Sequence, residues 1–185
     1  MDKGDLHMPI TYDGQARVFT LSGGDVSYVL HVDGFGHLMN LYWGARVPDG
    51  SVTPELRNYP GGASFDMQTN HLPWEIPTRG RGWYGTPAVA AVNAMGDDVV
   101  DLTYVSHVLY PGKRPLAGLP ATYVEEDGEA GTLEIALRDE LTGLRVTAVY
   151  SIYETSGAIT RSLRLENGGG APLTIRGLMA ASVPL

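Results

Sequence analysis

The sequence predicts an all-β protein, an antiparallel meander of roughly ten short strands folded into a sandwich. Three observations carry this. From Gly131 onward apolar and polar residues alternate with a period of two, the spacing that places every second side chain on one face of a strand. Clusters of turn-forming residues break the chain at short intervals, with 24 glycines and 12 prolines among 185 residues. No stretch offers an apolar helical period bounded by caps over three turns, which confines helix to short turns.

Taken in order, Val18 to Leu21 and Ser27 to Val32 read as a hairpin closed by Ser22-Gly23-Gly24-Asp25, where two glycines ease a tight connection. Gly34-Phe35-Gly36 breaks the chain, and His37 to Trp43 resumes it with Leu38, Tyr42 and Trp43 available for core or groove. His31 and His37 lack a partner nearby in sequence, so an ordinary core or surface role is expected rather than metal ligation. From Ala45 to Thr86 regular patterning stops: Pro48, Pro54, Pro60, Pro73, Pro77 and several glycines leave no uninterrupted element. A segment of this length is expected to be a long ordered loop or a mobile arm. Its aromatics, Tyr59, Phe65, Trp74, Trp83 and Tyr84, are expected to be exposed or loosely folded back, ready for a partner surface.

Leu102 to Tyr110 is the next strand, stopped by Pro111-Gly112. Gly118 to Ala121 forms a bend, Thr122-Tyr123-Val124 re-enters an extended segment, and Asp127-Gly128 offers a hairpin turn. Leu133 to Leu137 and Val146 to Ile152 pair across Asp139 to Gly143. Glu154 to Gly157 turns into a strand from Ala158 to Glu166, and Asn167 to Gly170 turns into Leu173 to Ala181. Within that penultimate strand Arg161 shares parity with Ile159, Leu163 and Leu165, which puts a guanidinium on an apolar face. Unpaired burial is costly. An ion pair with a carboxylate such as Glu125 or Glu154 is expected, or contact of that face with another element.

Composition limits the function classes. With 43% hydrophobic and 18% charged residues the chain is globular, and 185 residues suffice for one sizeable core. A net charge of −8 argues against nucleic-acid and anionic-membrane partners, while neutral sugars fit. The absence of cysteine removes disulfides and thiolate zinc sites and suits a cytoplasmic protein. No apolar run approaches a membrane span and the amino terminus has no signal-like core. No metal or cofactor is expected.

Catalytic patterns are weak. A retaining glycosidase needs two carboxyl groups roughly 5 Å apart. Asp66, Glu75, Asp97, Asp98, Asp101, Glu125, Glu126, Asp127 and Glu129 are candidates, yet none forms a pair by spacing, and Glu125-Glu126-Asp127 reads as a solvated turn. Ser106 and His107 are adjacent on a strand and so point to opposite faces. Gly61-Gly62 and Gly168 to Gly170 lack the strand-loop-helix context of a phosphate loop.

YVSHVLYPGKRPLAGLPATYVE, followed by EAGTLEI, GLRVTAVYSIYE and AITRSLRLEN, resembles the amino-terminal β-domain of glycoside hydrolase family 36, the bacterial α-galactosidases. YWG at Tyr42 to Gly44 and PWEIPTRGRG at Pro73 to Gly82 stand in the order that this resemblance leads one to expect. The resemblance implies a β-supersandwich of the galactose mutarotase-like type. It also implies a central (β/α)8 catalytic barrel and a small carboxy-terminal β-domain, with this chain, residues 1–185, stopping inside the first of these. The catalytic aspartates would then lie on the barrel, leaving no catalytic residue here.

The resemblance further implies a homotetramer in which a segment between YWG and PWEIP reaches a neighbouring active site with an aspartate and an arginine. Asp66 and Arg57 are the residues chosen for these roles. The function implied is that of a non-catalytic domain of a retaining α-galactosidase, acting in assembly and in walling the active site. Two other readings stay open. One is a free-standing carbohydrate-binding module with Trp43, Trp74 and Trp83 as its stacking platform. The other is a mutarotase-like sugar epimerase using His37 or His107 as acid or base beside a carboxylate.

Overall fold

The computed structural model describes residues 8–54, 72–80, 83–116 and 118–182. Ten strands lie among them: β1 (Ile10–Asp13), β2 (Val18–Gly23), β3 (Val26–Val32), β4 (Leu38–Ala45), β5 (Val89–Val92), β6 (Leu102–Pro111), β7 (Ala130–Asp139), β8 (Leu144–Tyr153), β9 (Ile159–Asn167) and β10 (Thr174–Leu178). They form two four-stranded antiparallel meanders, β1-β2-β3-β4 and β6-β7-β8-β9, and a two-stranded ribbon of β10 with β5. No α-helix occurs among the described residues, and one 3-10 turn at Asp127–Glu129 leads into β7.

The period-two pattern sets this packing. In β7 and β8, Leu133 faces Tyr150, Ile135 faces Ala148 and Leu137 faces Val146 across the ladder, all on the inner face and all buried. The small Ala148 opposite Ile135 stands between the bulkier pairs. Phe19, Leu21, Tyr28, Leu30 and Val32 of the opposite meander complete the same core. Each such side chain taken from water contributes about 1.5–3 kcal/mol before entropy is counted. The two meanders also touch through backbone. A Cβ on Gly23 would lie 2.4 Å from the Tyr153 carbonyl oxygen, and one on Gly157, whose φ is 67°, would lie 2.5 Å from the Gly23 oxygen. The β2–β3 and β8–β9 turns therefore close on each other only as glycines.

The observed strands differ from those expected at three places. Ile10–Asp13 and Val89–Val92 are strands that the pattern did not announce, and Thr122 to Val124 is not a strand. The largest difference lies in the arm. Residues 73–75 line the free edge of β4: the Asn40 amide donates to the Pro73 oxygen at 2.8 Å, the Glu75 amide donates to the Leu38 oxygen at 3.0 Å, and Met39 bridges Trp74. Trp74, Glu75, Ile76 and Thr78 are buried, with Trp74 only 7% exposed. The expectation of an exposed or loosely packed Trp74 is thus overturned. An unpaired strand edge gave this irregular segment a backbone partner that its own sequence does not show.

Candidate functional site

The described polar residues converge where the arm re-enters the sandwich. Glu75 is 3% exposed and its carboxylate lies between the two meanders. Tyr28 of β3 donates its hydroxyl within 2.7 Å of both carboxylate oxygens, Tyr150 of β8 donates to Oε1 at 2.9 Å, and Asn40 of β4 donates to Oε2 at 3.2 Å. Arg161 of β9 places Nη1 2.9 Å from Oε1 and donates Nη2 to the Glu75 main-chain oxygen at 3.0 Å. The guanidinium also lies 5.2 Å above the Tyr150 ring. Burial first, and then the Glu75 charge, push both tyrosine hydroxyls well above the ordinary phenol range, which keeps them protonated as donors.

The guanidinium foreseen on the apolar face of β9 is therefore paired, and its partner is Glu75 of the arm rather than Glu125 or Glu154. Sequence reasoning named Glu75 only as one carboxylate among several. A carboxylate flanked by the large apolar Trp74 and Ile76 inside a proline-bracketed phrase is the local feature that sets it apart from the other carboxylates.

A second polar cluster lies beside the first. His37 is 5% exposed, with Nε2 3.0 Å from Asp101 and Nδ1 3.5 Å from Asp33, and its ring meets Trp74 edge-on at 4.9 Å. The Asp33 hydrogen bond raises the His37 pKa against the opposing effect of burial, with Asp101 adding to the rise. Burial alone would raise the Asp33 pKa, but its hydrogen bonds to His37 outweigh that and lower it. His37 does have carboxylate neighbours, yet Trp74 covers the ring. His107 packs on Tyr12 at 4.3 Å and Phe19 at 4.8 Å and shares a 2.7 Å hydrogen bond with the Tyr104 hydroxyl. Burial lowers its pKa.

The three tryptophans do not share one setting. Trp43 is 61% exposed and edge-on to Tyr28 at 6.1 Å, Trp74 is in the core, and Trp83 is half-buried with Nε1 donating to the Thr86 oxygen at 3.2 Å. Asp66 and Arg57 lie outside the described residues. On the outer face of β6–β9 a shallow groove of about 630 Å³ holds Arg138, Arg145 and Arg164. Each has an acidic partner, Glu140 at 3.4 Å, Glu166 at 3.1 Å and Glu134 respectively, so the groove carries balanced surface pairs.

The fold and site define an antiparallel β-sandwich domain whose central carboxylate, Glu75, is buried and held by Tyr28, Tyr150, Asn40 and Arg161, with the buried Arg161 Nε making no hydrogen bond among the described residues. The model of the glycosyl hydrolase family 36 N-terminal domain matches residues 36–185, and the chain belongs to that family. Alpha-galactosidase AgaA of Geobacillus stearothermophilus is 40% identical over 185 residues, covering 95% of this chain and 25% of the relative. The bifunctional alpha-galactosidase/sucrose kinase AgaSK of Mediterraneibacter gnavus is 35% identical over 182 residues, 94% of this chain and 19% of that protein. Among solved structures, the GH36 alpha-galactosidase AgaB of Geobacillus stearothermophilus superposes with a TM-score of 0.84 at 40% identity, over 95% of this chain and 25% of its own. An AgaA variant in complex with raffinose gives 0.82 at 39% identity, over 90% of this chain and 24% of its own. The chain spans at most a quarter of the length of these relatives.

Proposed function

We propose that this chain is the non-catalytic N-terminal β-domain of a retaining α-galactosidase that hydrolyses terminal α-galactosides. The observation that carries the reading is the 40% identity and 0.84 TM-score over nearly the whole chain to one quarter of such an enzyme. Raffinose is the ligand of one relative's structure, and raffinose-type oligosaccharides are the substrate class proposed here. The domain's partners in this reading are the catalytic barrel of its own polypeptide and neighbouring copies in a tetramer, in a bacterial cytoplasm. Asp66 and Arg57 supply contacts to a neighbour's sugar, and Trp43, with an exposed ring beside the anchored arm, supports an interface or sugar-stacking role. The purified 185-residue chain is expected to release no nitrophenol from a nitrophenyl α-galactoside above a mock preparation, whereas an enzyme carrying this domain joined to a family barrel releases it. Release by the chain alone overturns the assignment.

Exposure of Trp43 also favours a second reading, a carbohydrate-binding module. Titration of the isolated chain with raffinose distinguishes them: saturable binding lost in Trp43→Ala supports the module, and no binding supports the ancillary domain.

A further inference from the structure

We propose that Glu75 is a positioning residue of the α-galactosidase in the reading above, on which this inference rests: its buried charge fixes where the arm between β4 and β5 rejoins the sandwich, and so governs productive substrate binding without touching substrate. A buried ion pair is a poor way to fill space for stability alone. Apolar side chains of similar volume often do as well or better. A carboxylate held by Tyr28, Tyr150, Asn40 and Arg161 gains something an apolar side chain lacks, a single orientation, since sliding or turning breaks several charge-assisted bonds together. Arg161 extends that control to the backbone by holding the Glu75 carbonyl oxygen as well.

The departing end of the arm is held by β3, the strand of Tyr28, and by the turn that leads into it. Ser27 Oγ accepts from the Val47 amide at 3.1 Å, and the Arg46 amide donates to the Asp25 oxygen at 2.8 Å. Ser27 and Tyr28 are consecutive residues of β3 and point to opposite faces, one gripping the outgoing chain and the other the returning chain. Both roots of the excursion are thereby referred to one rigid strand near the centre of the fold. The outgoing root depends on neutral hydrogen bonds and the returning root on a charge.

Glu75→Gln keeps the shape and removes the charge. In the 185-residue chain, the amides at positions 40 and 75, which bond to Pro73 and Leu38, are expected to accelerate about tenfold more than those of Ile135 and Ala148 in the central ladder, which follow only the loss of global stability. Equal acceleration at all four sites, or none at 40 and 75, overturns the proposal. Should Glu75→Gln fail to fold, Tyr28→Phe retains the ion pair and removes one donor, and the same selective pattern is expected at about threefold. In an α-galactosidase carrying this domain, Glu75→Gln is expected to raise KM for an aryl α-galactoside about fivefold with kcat within about twofold. Glu75→Leu combined with Arg161→Met restores packing without orientation, so its KM stays high even where its melting temperature recovers. A normal KM in both variants overturns the proposal and leaves the enzyme assignment standing. An unmutated enzyme inactive on every α-galactoside overturns that assignment and the proposal with it, while a selective exchange effect would still identify Glu75 as the anchor.

Discussion

Two stretches of one arm, Pro73 to Thr78 and Trp83 to Thr86, look alike in sequence and differ in the folded chain. The first holds Pro73 and Pro77, the second holds Gly85 and precedes Pro87, and each presents a tryptophan. Trp74 is 7% exposed, whereas Trp83 is half-buried and its neighbour Tyr84 is 89% exposed. Composition does not decide between them. The first stretch runs along the open edge of β4 and carries Glu75 to the four donors waiting between the sheets, while the second is tied by the Trp83 bond within its own turn and by the Ser182 hydroxyl, which donates to the Thr86 oxygen at 3.1 Å near the chain's surface. A tryptophan is buried where the backbone beside it finds a ladder and a counter-charge, and not simply because it is a tryptophan.

The sharpest break of this contrast is removal of the charge. Glu75→Ala leaves the Arg161 guanidinium buried beside Tyr28 and Tyr150 without its counter-ion, and a loss of about 3–5 kcal/mol is expected. Urea unfolding at neutral pH measures it. A loss below about 1 kcal/mol is the size of an exposed pair and indicates that the cluster is solvated. Trp74→Ala comes next, at about 3 kcal/mol, the cost of a core aromatic truncated where neighbours collapse only partly.

What the sequence made legible follows from where stability is local. The β7–β8–β9 meander could be read with its turn at Asp139 to Gly143, since alternation over ten residues in β7 and β8 fixes face and register together. Ile10–Asp13 and Val89–Val92 could not: each has four residues, and Val-Ala-Ala-Val shows no alternation. Strands so short exist because a neighbour offers hydrogen bonds. Thr122-Tyr123-Val124 is the opposite case, with good strand residues and no strand beside them, and Tyr123 is 76% exposed. At the site, Arg161 was legible as a buried charge needing a partner, and the identity of that partner was not, because Glu75 lies 86 residues away along the chain.

A pH series sharpens the contrast on the Trp74 side. His37 has a folded-state pKa raised above its ordinary 6.5, so its contribution is complete below that value and is lost as pH rises through the folded value. Asp33 has a folded-state pKa lowered beneath its ordinary 3.8, so its contribution is complete above 3.8 and is lost as pH falls through the folded value. The pair is therefore at full strength between these ordinary values. The stability difference between the unmodified chain and His37→Gln is expected to be flat from about pH 4 to 6 and to shrink from about pH 6.5 toward 8. Urea unfolding at several pH values tests this, and a difference that grows toward pH 8 contradicts a charged His37 beneath Trp74.

The smallest effect is expected at the other end of the comparison. Trp83 keeps part of its ring in solvent and makes one hydrogen bond, from Nε1 to the Thr86 oxygen, an acceptor that water can serve after truncation. An added Cβ on Gly85 would meet the indole ring at 3.0 Å, so the ring packs on its own turn, and it is not among the side chains packed against the main core. Little apolar area returns to water when it is removed, and Trp83→Ala is expected to cost about 1 kcal/mol or less. Tyr84→Ser, at a side chain almost wholly in solvent, is expected to fall within about 0.5 kcal/mol. In an α-galactosidase carrying this domain the order is expected to reverse: these exposed rings are offered to a partner, so Trp83→Ala weakens subunit assembly, measured by sedimentation, more than it weakens folding. If Trp83→Ala unfolds the chain as readily as Trp74→Ala, then residues 83–86 contribute to the core as 73–78 do, and the division of the arm into an anchored half and an offered half is wrong.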